Sequence, residues 1–437
     1  MKLGNRILIG IGCVVLLLVS WIVVINAPSN TEKQLKLIEQ AAELMHDEIY
    51  IRAVPLLEEA AGYSAEHTLE AESLLKEAYL QLITQQGYQR KYTTLLETQM
   101  GREDTSPEIF IEAANFYLGR SKITDALTVL KNGIVKTDNE ELMQLYENNR
   151  YSYQLGRSVY EDVTAIYGTT IAVQIDGLWG LAQSDGTLII SCEYEKISTY
   201  NIGRAIVKKG SEIYAVDSSG NRLALLKENA ADFGNYANDR VPLLIDGEWK
   251  RATGEFVVGS ASFEQMGTYS DGYIAAKMNG KWGVIDINSN WLLPAEYDEI
   301  IMDELSRVYA QGAVFARKGG AVYLFVDGVQ LGDSYEDAHP FGNEGYAAVK
   351  KDGKWGYIDT SGSVQIPYQF EDALSFGQHL AAIKIGDFWG YISLSGELVI
   401  EAGYLDVKSF ANGSAPVLTE RGWQFITLLE YKKGASL

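Results

Sequence analysis

The sequence predicts a multidomain chain with three parts: an amino-terminal transmembrane helix, an all-α segment of helical hairpins, and an all-β domain of about eight repeats. Three observations predict them. An uncharged run begins at residue 7, apolar residues then recur at helical spacing, and a Trp-Gly pair recurs about every 35 residues in the last three-fifths of the chain. The length of 437 residues suggests two to four domains, at about 100–200 residues per domain.

Composition excludes several classes of protein. An apolar content of 47% excludes a chain that is disordered throughout. The 58 acidic and 37 basic side chains give a formal charge of −21, which argues against a nucleic-acid partner because phosphate binding needs clustered Lys and Arg. Two cysteines and four histidines supply few metal ligands. We therefore predict no metal, no cofactor and no nucleic acid.

The first segment is predicted to cross a membrane. Ile7 to Ile25 is a run of 19 uncharged residues, and such a helix is about 28 Å long, close to the thickness of a bilayer core. Lys2 and Arg6 precede the run, so the amino terminus should be cytoplasmic and the bulk of the chain extracytoplasmic. A cleaved signal peptide is the alternative, but its apolar core is about 7 to 15 residues long. We predict a cytoplasmic tail at 1–6, an anchor at 7–26 and a single-pass protein of the cell membrane.

Residues 31–154 are predicted to be helical, with a period near 34 residues. Three units are expected, at Gln34–His67, Ser73–Ser106 and Pro107–Glu140, with residues 140–154 as a cap. The third unit carries a pattern of aromatic and small residues: Phe110, Ala113, Ala114, Tyr117, Ala126, Leu130 and Gly133. This pattern resembles the tetratricopeptide repeat. The resemblance implies a peptide-binding groove, whereas the structural alternative is a spacer of stacked helices, and the sequence leaves both open.

Residues 160–429 carry two repeated signatures, followed by a tail at 430–437. The first signature is an aromatic residue, in most units followed by Gly; its positions are Trp179-Gly180, Tyr214, Trp249, Trp282-Gly283, Tyr323, Trp355-Gly356, Trp389-Gly390 and Trp423. The second is an acidic segment that keeps the same spacing about 19 residues ahead of the first and occurs at seven places, as in Tyr160-Glu161-Asp162. Because the two signals keep the same spacing, they indicate a tandem repeat.

Each unit is predicted to be a meander of three short antiparallel strands, with a possible fourth in the acidic segment. Asp352-Gly353 is typical of a tight hairpin turn, and Ser361-Gly362 supplies a second turn. Apolar residues on both faces of the strands favour sheets stacked as propeller blades over an open β-solenoid. The Gly after Trp is expected to permit close approach of the adjacent unit. A gap of 41 residues between Trp282 and Tyr323 predicts an insertion near residues 304–312.

The strand that follows the hairpin turn carries a recognisable motif. Lys354-Trp355-Gly356-Tyr357-Ile358-Asp359 and Lys281-Trp282-Gly283-Val284-Ile285-Asp286 resemble the core of the WG-repeat family. The resemblance covers residues 160–429 and implies a bacterial repeat protein. It implies no established activity.

Two kinds of side chain, the repeated carboxylates and the Trp residues, are candidates for catalysis or ligand binding. The repeated carboxylates could supply the pair of acids that a glycosidase needs. A catalytic pair is needed only once, however, whereas these carboxylates recur once per unit. We therefore expect them to accept hydrogen bonds from local backbone. No catalytic residue is predicted. The repeated Trp residues are expected to be structural core. Trp291 lies off this register and is the one predicted ligand-binding aromatic.

These observations predict a non-catalytic, membrane-anchored binding or scaffold protein of the bacterial cell envelope that acts through its repeat surfaces. The partner would be a protein or an envelope polymer. Two alternatives remain: a cell-wall or polysaccharide hydrolase with carboxylates at the propeller mouth, and a carbohydrate-binding module. The sequence predicts neither the partner nor the oligomeric state.

Overall fold

The computed structural model describes residues 29–226, 229–308 and 312–431. It divides into a helical unit that ends at Tyr146 and a β unit that begins at Glu147. The predicted membrane segment, Ile7 to Ile25, lies outside the described residues. None of the helices in the described ranges is long and apolar enough to span a bilayer.

The helical unit contains helices that pair as successive hairpins. Their bounds are α1 Asn30–His46, α2 Tyr50–Gly62, α3 Thr68–Gln81, α4 Tyr88–Met100, α5 Pro107–Leu118, α6 Ile123–Thr137 and α7 Glu140–Asn149. A capping box starts α1: the Ser29 hydroxyl accepts the backbone N–H of Glu32 at 3.1 Å, and the Glu32 carboxylate accepts that of Ser29 at 2.8 Å. The cap expected to reach Gln154 ends earlier, because Tyr153–Leu155 form a strand of the β unit.

The third hairpin shows how aromatic and small residues pack between its helices. Gly133 on α6 lies under Phe110 on α5, and a Cβ at Gly133 would be 2.8 Å from the Phe110 Cγ and 2.9 Å from the Leu142 Cδ1. Both neighbours are buried in one cluster that runs through the helical unit. The predicted repeat pattern requires such contacts between a large aromatic ring and a small residue. Membership of the tetratricopeptide family stays a prediction.

The β unit consists of eight four-stranded antiparallel sheets, which we call blades 1 to 8. Blade 1 comprises β2 Asp162–Val163, β3 Thr170–Ile175, β4 Leu178–Gln183 and β5 Leu188–Tyr194; blade 2, β6 Lys196–Ile197, β7 Ala205–Lys209, β8 Glu212–Val216 and β9 Arg222–Leu225; blade 3, β10 Ala230–Phe233, β11 Val241–Ile245, β12 Glu248–Ala252 and β13 Val258–Phe263; blade 4, β14 Gln265–Met266, β15 Tyr273–Met278, β16 Lys281–Asp286 and β17 Trp291–Tyr297. Blade 5 comprises β18 Glu299–Ile300, β19 Ala313–Lys318, β20 Ala321–Val326 and β21 Val329–Tyr335; blade 6, β22 Asp337–Ala338, β23 Tyr346–Lys351, β24 Lys354–Asp359 and β25 Val364–Phe370; blade 7, β26 Asp372–Ala373, β27 Leu380–Ile385, β28 Phe388–Ser393 and β29 Leu398–Tyr404; blade 8, β30 Asp406–Val407, β31 Ser414–Thr419, β32 Gly422–Leu428 and, from the amino-terminal end of the unit, β1 Tyr153–Leu155. A 3₁₀ turn, Leu429–Tyr431, follows.

The prediction of three strands per unit is wrong. The possible fourth strand in the acidic segment is confirmed, as a strand of two residues at the start of each of blades 1, 2 and 4 to 8. In blade 3, for which no acidic segment was predicted, the first strand is Ala230–Phe233. A two-residue strand is too short to show the alternation of apolar and polar side chains by which a strand is recognised from sequence.

The first and last segments of the β unit pair with each other. Strand β1 runs antiparallel to β32, with Gln154 opposite Thr427, and the Tyr404 hydroxyl donates to the Tyr153 hydroxyl at 3.0 Å. Residues far apart in sequence thus share one sheet, which closes the ring and leaves the short strand β1 as the outer edge of blade 8.

An apolar cluster joins each blade to the next, including the last to the first. Between blades 7 and 8, Tyr391 packs near Val417; between blades 8 and 1, Phe425 packs near Val173. Buried clusters of the same kind occupy the other six junctions. The unit is therefore a closed eight-bladed propeller, and the open solenoid is excluded.

Candidate functional site: the central channel and the repeat signature

The glycine of the Trp-Gly signature makes room within its own blade. In blade 6, Trp355 is opposite Phe370 while Tyr357 is opposite Ile366, so β25 contains a bulge between these two pairs. A Cβ on Gly356 would lie 2.8 Å from the Ile366 carbonyl oxygen. Gly180, Gly283 and Gly390 face the same outer-strand bulge in their blades. The prediction that this glycine admits the adjacent unit is wrong, because the backbone that approaches it belongs to the outermost strand of the same sheet.

Two of the expected aromatic equivalents lie one residue out of register. The signature Trp is the second residue after the hairpin turn, opposite Lys350 in the case of Trp355. In blade 2 that place belongs to Ile213, and Tyr214 occupies the glycine position; in blade 5, Val322 and Tyr323 are arranged in the same way. Because alternate residues of a strand point to opposite faces, Tyr214 and Tyr323 pack toward the preceding blade.

The Trp residues of the signature are buried or half-buried. Trp355, Trp389 and Trp423 are buried in the junctions between blades. Trp179, Trp249 and Trp282 are partly buried. Their role as packing residues follows from this position.

The recurrent carboxylates bond to local backbone, as expected. Glu161 accepts the N–H of Gly177 at 3.0 Å, and Glu195 accepts that of Gly210 at 2.9 Å, so each carboxylate holds the hairpin turn of its own blade. The aspartates of the short first strands accept the N–H of the next residue; they are Asp162, Asp232, Asp337, Asp372 and Asp406. Within the described residues, no group of three or more His, Cys, Asp or Glu side chains is placed to hold a metal ion.

An insertion in blade 5 forms a braced hairpin. We call residues 301–308 the plug. Asp303 Oδ1 accepts the backbone N–H groups of Leu305 and Arg307 at 2.9 and 2.8 Å, and Asp303 Oδ2 accepts the Arg307 Nε–H at 2.7 Å. The left-handed conformation of Ser306, with φ of 60°, completes the turn. This segment overlaps the insertion that the 41-residue gap predicts.

The plug is held first by blades 3 and 4. Its Ser306 carbonyl accepts the backbone N–H of Thr268 at 2.7 Å, and its Leu305 carbonyl accepts Asn235 Nδ2–H at 3.1 Å. A Cβ at Gly267 would lie 2.7 Å from the Ser306 oxygen, so the plug needs a glycine there.

The plug also reaches blades that are not neighbours of blade 5. The Glu304 carboxylate lies 2.8 Å from the Lys408 ammonium of blade 8, and the Arg307 guanidinium lies 5.7 Å from the ring centroid of Tyr167 in blade 1. In a closed ring of eight blades, one short segment contacts blades 1, 3, 4 and 8 only if it lies on the axis. The insertion therefore crosses the propeller axis at this end of the central channel.

The plug places an acid in a partly desolvated position. Burial raises the pKa of the Glu304 carboxyl above its ordinary range, and the nearby Lys408 ammonium opposes this effect without cancelling it.

Beside the plug lies a cavity of about 180 Å³, lined by Lys196, Ser198, Phe233, Asn235, Thr268 and Ser306. The Lys196 ammonium at its rim is 2.7 Å from Asp232.

The repeat signature matches a known family. The profile of the WG containing repeat matches residues 179–212, 253–282, 282–304, 334–355, 355–387 and 389–423. The chain is a WG-repeat protein. A search of curated proteins found no significant match.

Solved structures similar to this WG-repeat protein are distant. BamB from Moraxella catarrhalis is 10% identical, with a TM-score of 0.40 over 64% of this chain and 95% of that one. A structure described as the eukaryotic initiation factor is 9% identical, with a TM-score of 0.40 over 60% of this chain and 82% of that one. YCF48 from Cyanidioschyzon merolae is 10% identical, with a TM-score of 0.35 over 64% of this chain and 100% of that one. At these scores the likenesses carry no argument about function.

The off-register aromatic of the WG-repeat protein lies at a blade edge. Trp291 begins the outermost strand of blade 4, and 37% of it is exposed. Its ring meets that of Phe263 edge to face at 6.4 Å between centroids and covers Gly283. Trp291 is thus part core and part surface, and its role in ligand binding stays a prediction.

Proposed function

We propose that this WG-repeat protein is a membrane-anchored, extracytoplasmic binding scaffold of the bacterial cell envelope that acts through its repeat surfaces without catalysis. The observation that carries the proposal is the plug that lies across the propeller axis. The plug places Leu305 and Glu304 on the propeller axis, where many propellers offer a ligand cavity. The extended surfaces left for binding are the two faces of the ring and the helical hairpins.

One face of the propeller has features suited to a protein partner. We define the upper face as the loops that join the first to the second strand and the third to the fourth strand of each blade; antiparallel pairing puts these loops at the same end. On it, Ile202 and Val257 are 63% and 68% exposed. The loops that carry them are tied across blades, since Arg204 Nη1 donates to the Gly254 carbonyl at 2.8 Å.

Rigid loops with exposed apolar tips favour protein binding. Ordering a loop on association costs free energy, and loops already held by cross-blade hydrogen bonds avoid part of that cost. The backbone N–H of Asn238 donates to the Asn201 side-chain oxygen at 2.8 Å, which fixes a second pair of neighbouring loops. Blades 2 and 3 therefore present a preformed surface.

Site-specific photo-crosslinking in intact cells tests the proposal. A photoreactive residue at Ile202 or Val257 is expected to give a discrete crosslinked species. The control position is Ile385, which is 50% exposed at the end of β27, beside the turn between the second and third strands of blade 7 and so at the opposite end of the blade from the upper-face loops. Equal labelling at all three positions, or none at the upper face, would contradict a binding role for this face.

The membrane topology needs its own experiment. Protease added to cells with a permeabilised outer layer should digest the propeller if it lies outside the cytoplasm. A cysteine-reactive, membrane-impermeant reagent applied to a Ser29→Cys variant gives a second reading beside the predicted anchor. Protection of both sites until the cell membrane is lysed would overturn the extracytoplasmic placement.

A further inference from the structure

Arg251 stands where the other blades carry apolar side chains. The position is the fourth residue after the hairpin turn, in the third strand of each blade. The equivalent residues of the other seven blades are Leu181, Ala215, Val284, Leu324, Tyr357, Tyr391 and Phe425. All seven are buried in junctions between blades. Arg251, at the eighth equivalent position, is half-buried, and a charge that is partly removed from water is costly unless it is paired.

The side chain of Arg251 faces blade 4. It is directly opposite Pro242, and the next residue, Ala252, points the other way into the cluster shared with blade 2. The groups of blade 4 that act on its charge are Asp286 and Tyr269. The buried apolar cluster at this junction is small among those described; its members are Phe263, Ile274, Ala276 and Ile285. Few buried apolar side chains therefore fill this junction among the described residues.

The guanidinium of Arg251 lacks a bonding partner at one nitrogen. Its Nη1 is buried and has no hydrogen-bond acceptor among the described residues. Asp286, the carboxylate that acts on the charge of Arg251, accepts hydrogen bonds from its own turn instead. Its Oδ1 accepts the backbone N–H groups of Asn288 and Asn290 at 2.8 Å each, and its Oδ2 accepts Asn290 Nδ2–H at 2.9 Å. A buried donor without an acceptor is destabilising.

A second arginine adds positive charge to the same place. Arg240 precedes β11 and lies on the same side of the sheet as Pro242 and Arg251, by strand alternation. Its Nη1 donates to the Asp239 carbonyl at 2.7 Å and lies 3.3 Å from the Asp239 carboxylate, which is half exposed. Burial lowers the pKa of the Arg251 guanidinium, and the positive charge of Arg240 lowers this pKa further.

We propose that Arg251 and Arg240 form a binding site for an oxyanion, with a carboxylate or phosphate group seated between blades 3 and 4. Such a group gives the buried Nη1 an acceptor, and its oxygens match the planar fork of a guanidinium. It also offsets the repulsion between the two arginines. The oxyanion comes either from a free small anion or from an acidic side chain of a protein partner; the second source rests on the proposed binding function.

Thermal unfolding of the full chain in detergent tests the site. The probes are sodium phosphate, sodium citrate and a hexaglutamate peptide, each compared with sodium chloride at the same ionic strength. We expect at least one probe to raise the Tm of the wild-type propeller transition by about 2 °C or more. Arg251→Leu, which restores the apolar pattern, should abolish that rise. Arg240→Gln should weaken the apparent affinity at least about fivefold.

A matched control and a second readout keep the test decisive. Arg222→Leu removes an exposed arginine paired with Glu212 in blade 2 and should leave the anion response intact. Without a probe, Arg251→Leu should unfold at a temperature equal to or above that of the wild type, because it removes a half-buried guanidinium whose Nη1 has no acceptor. If Arg251→Leu does not fold, the proposal is judged on titration of wild type, Arg240→Gln and Arg251→Lys by Trp fluorescence, since Trp249 lies two residues from the site.

Each outcome has a defined meaning. A response to phosphate or citrate identifies a free oxyanion site, and a response to hexaglutamate alone identifies carboxylates of a partner; both support the proposal. No response of the wild type to any probe, or the same response in Arg251→Leu, overturns it. A free-anion response together with failed crosslinking at Ile202 and Val257 would keep this site and reject the scaffold function, so the two failures are distinguishable.

Discussion

The Glu304 carboxylate of blade 5 lies 2.8 Å from the Lys408 ammonium of blade 8, three blades further around the ring. An ion pair that is partly exposed contributes little free energy, typically about 0–1 kcal/mol. Its significance is geometric, because it fixes the end of the plug against the far wall of the channel. Together with the contact between Arg307 and Tyr167, it makes the plug a brace across the propeller.

The fit of the plug against blade 4 is open to a single-atom test. Gly267→Ala puts a Cβ 2.7 Å from the Ser306 carbonyl oxygen, so either the plug or the first segment of blade 4 must move. We expect a loss of about 1–3 kcal/mol in the free energy of unfolding, as for other overpacking substitutions. Chemical denaturation measures it. Gly403→Ala is the control, because nothing lies within 4 Å of that Cβ.

The raised pKa of Glu304 predicts a pH dependence. Burial is its main cause, so the folded state binds a proton at higher pH than the unfolded state does. The contribution of Glu304 to stability therefore falls as the pH rises from the ordinary Glu range, about 4.3, through the folded-state pKa. Glu304→Gln removes this titration. We expect its Tm relative to wild type to be higher at pH 8 than at pH 4.5, and a constant difference across that range would contradict the assignment.

The glycine of the WG signature should tolerate no side chain. In Gly356→Ala the new Cβ would lie 2.8 Å from the Ile366 oxygen and 2.9 Å from the Tyr368 nitrogen, so the bulge of β25 must open. Both neighbours are backbone atoms and relax poorly. We expect destabilisation by about 1–3 kcal/mol, again with Gly403→Ala as the control. An unchanged midpoint of denaturation would show that the bulge is not held by this contact.

Ring closure depends on a strand that precedes the repeats. A chain that starts at residue 147 retains β1, whereas one that starts at residue 157 lacks it and exposes the outer edge of β32. We expect the shorter chain to have a lower Tm and to form aggregates on size-exclusion chromatography, because an unpaired edge strand recruits other chains. Two chains with the same Tm and the same elution volume would count against the role of β1.

Local patterns in the sequence were sufficient for much of the architecture. The helical units matched α1 to α6, the repeat count matched the eight blades, and the acidic segments bond to the turns as expected. Turn chemistry and the spacing of large residues are local properties, which is why they can be read from one chain. The membrane segment is also a local pattern, and it stays a prediction.

Other features depended on pairing between distant residues. The prediction that Tyr214 and Tyr323 take the place of the signature Trp is wrong by one residue. Spacing alone does not show toward which face of a strand an aromatic side chain points, and only the hairpin pairing decides this. The prediction that the adjacent unit approaches Gly356 is wrong because the bulge that contacts this glycine lies in β25, the outermost strand of the same blade. In the sequence, Arg251 differs from its neighbours only by its charge. Its equivalence to apolar residues such as Tyr357 depends on the strand pairing within each blade.

The sequence by itself determined that this protein is a tandem array of small β units with acid-held turns, since each unit carries its own turn residues and apolar pattern. Only the tertiary structure decided that the ring closes through β1, that the insertion of blade 5 crosses the axis, and that Arg251 faces the junction of blades 3 and 4. These relationships join residues tens to hundreds of positions apart. They arise from the packing of each sheet on its neighbours, which no local pattern encodes.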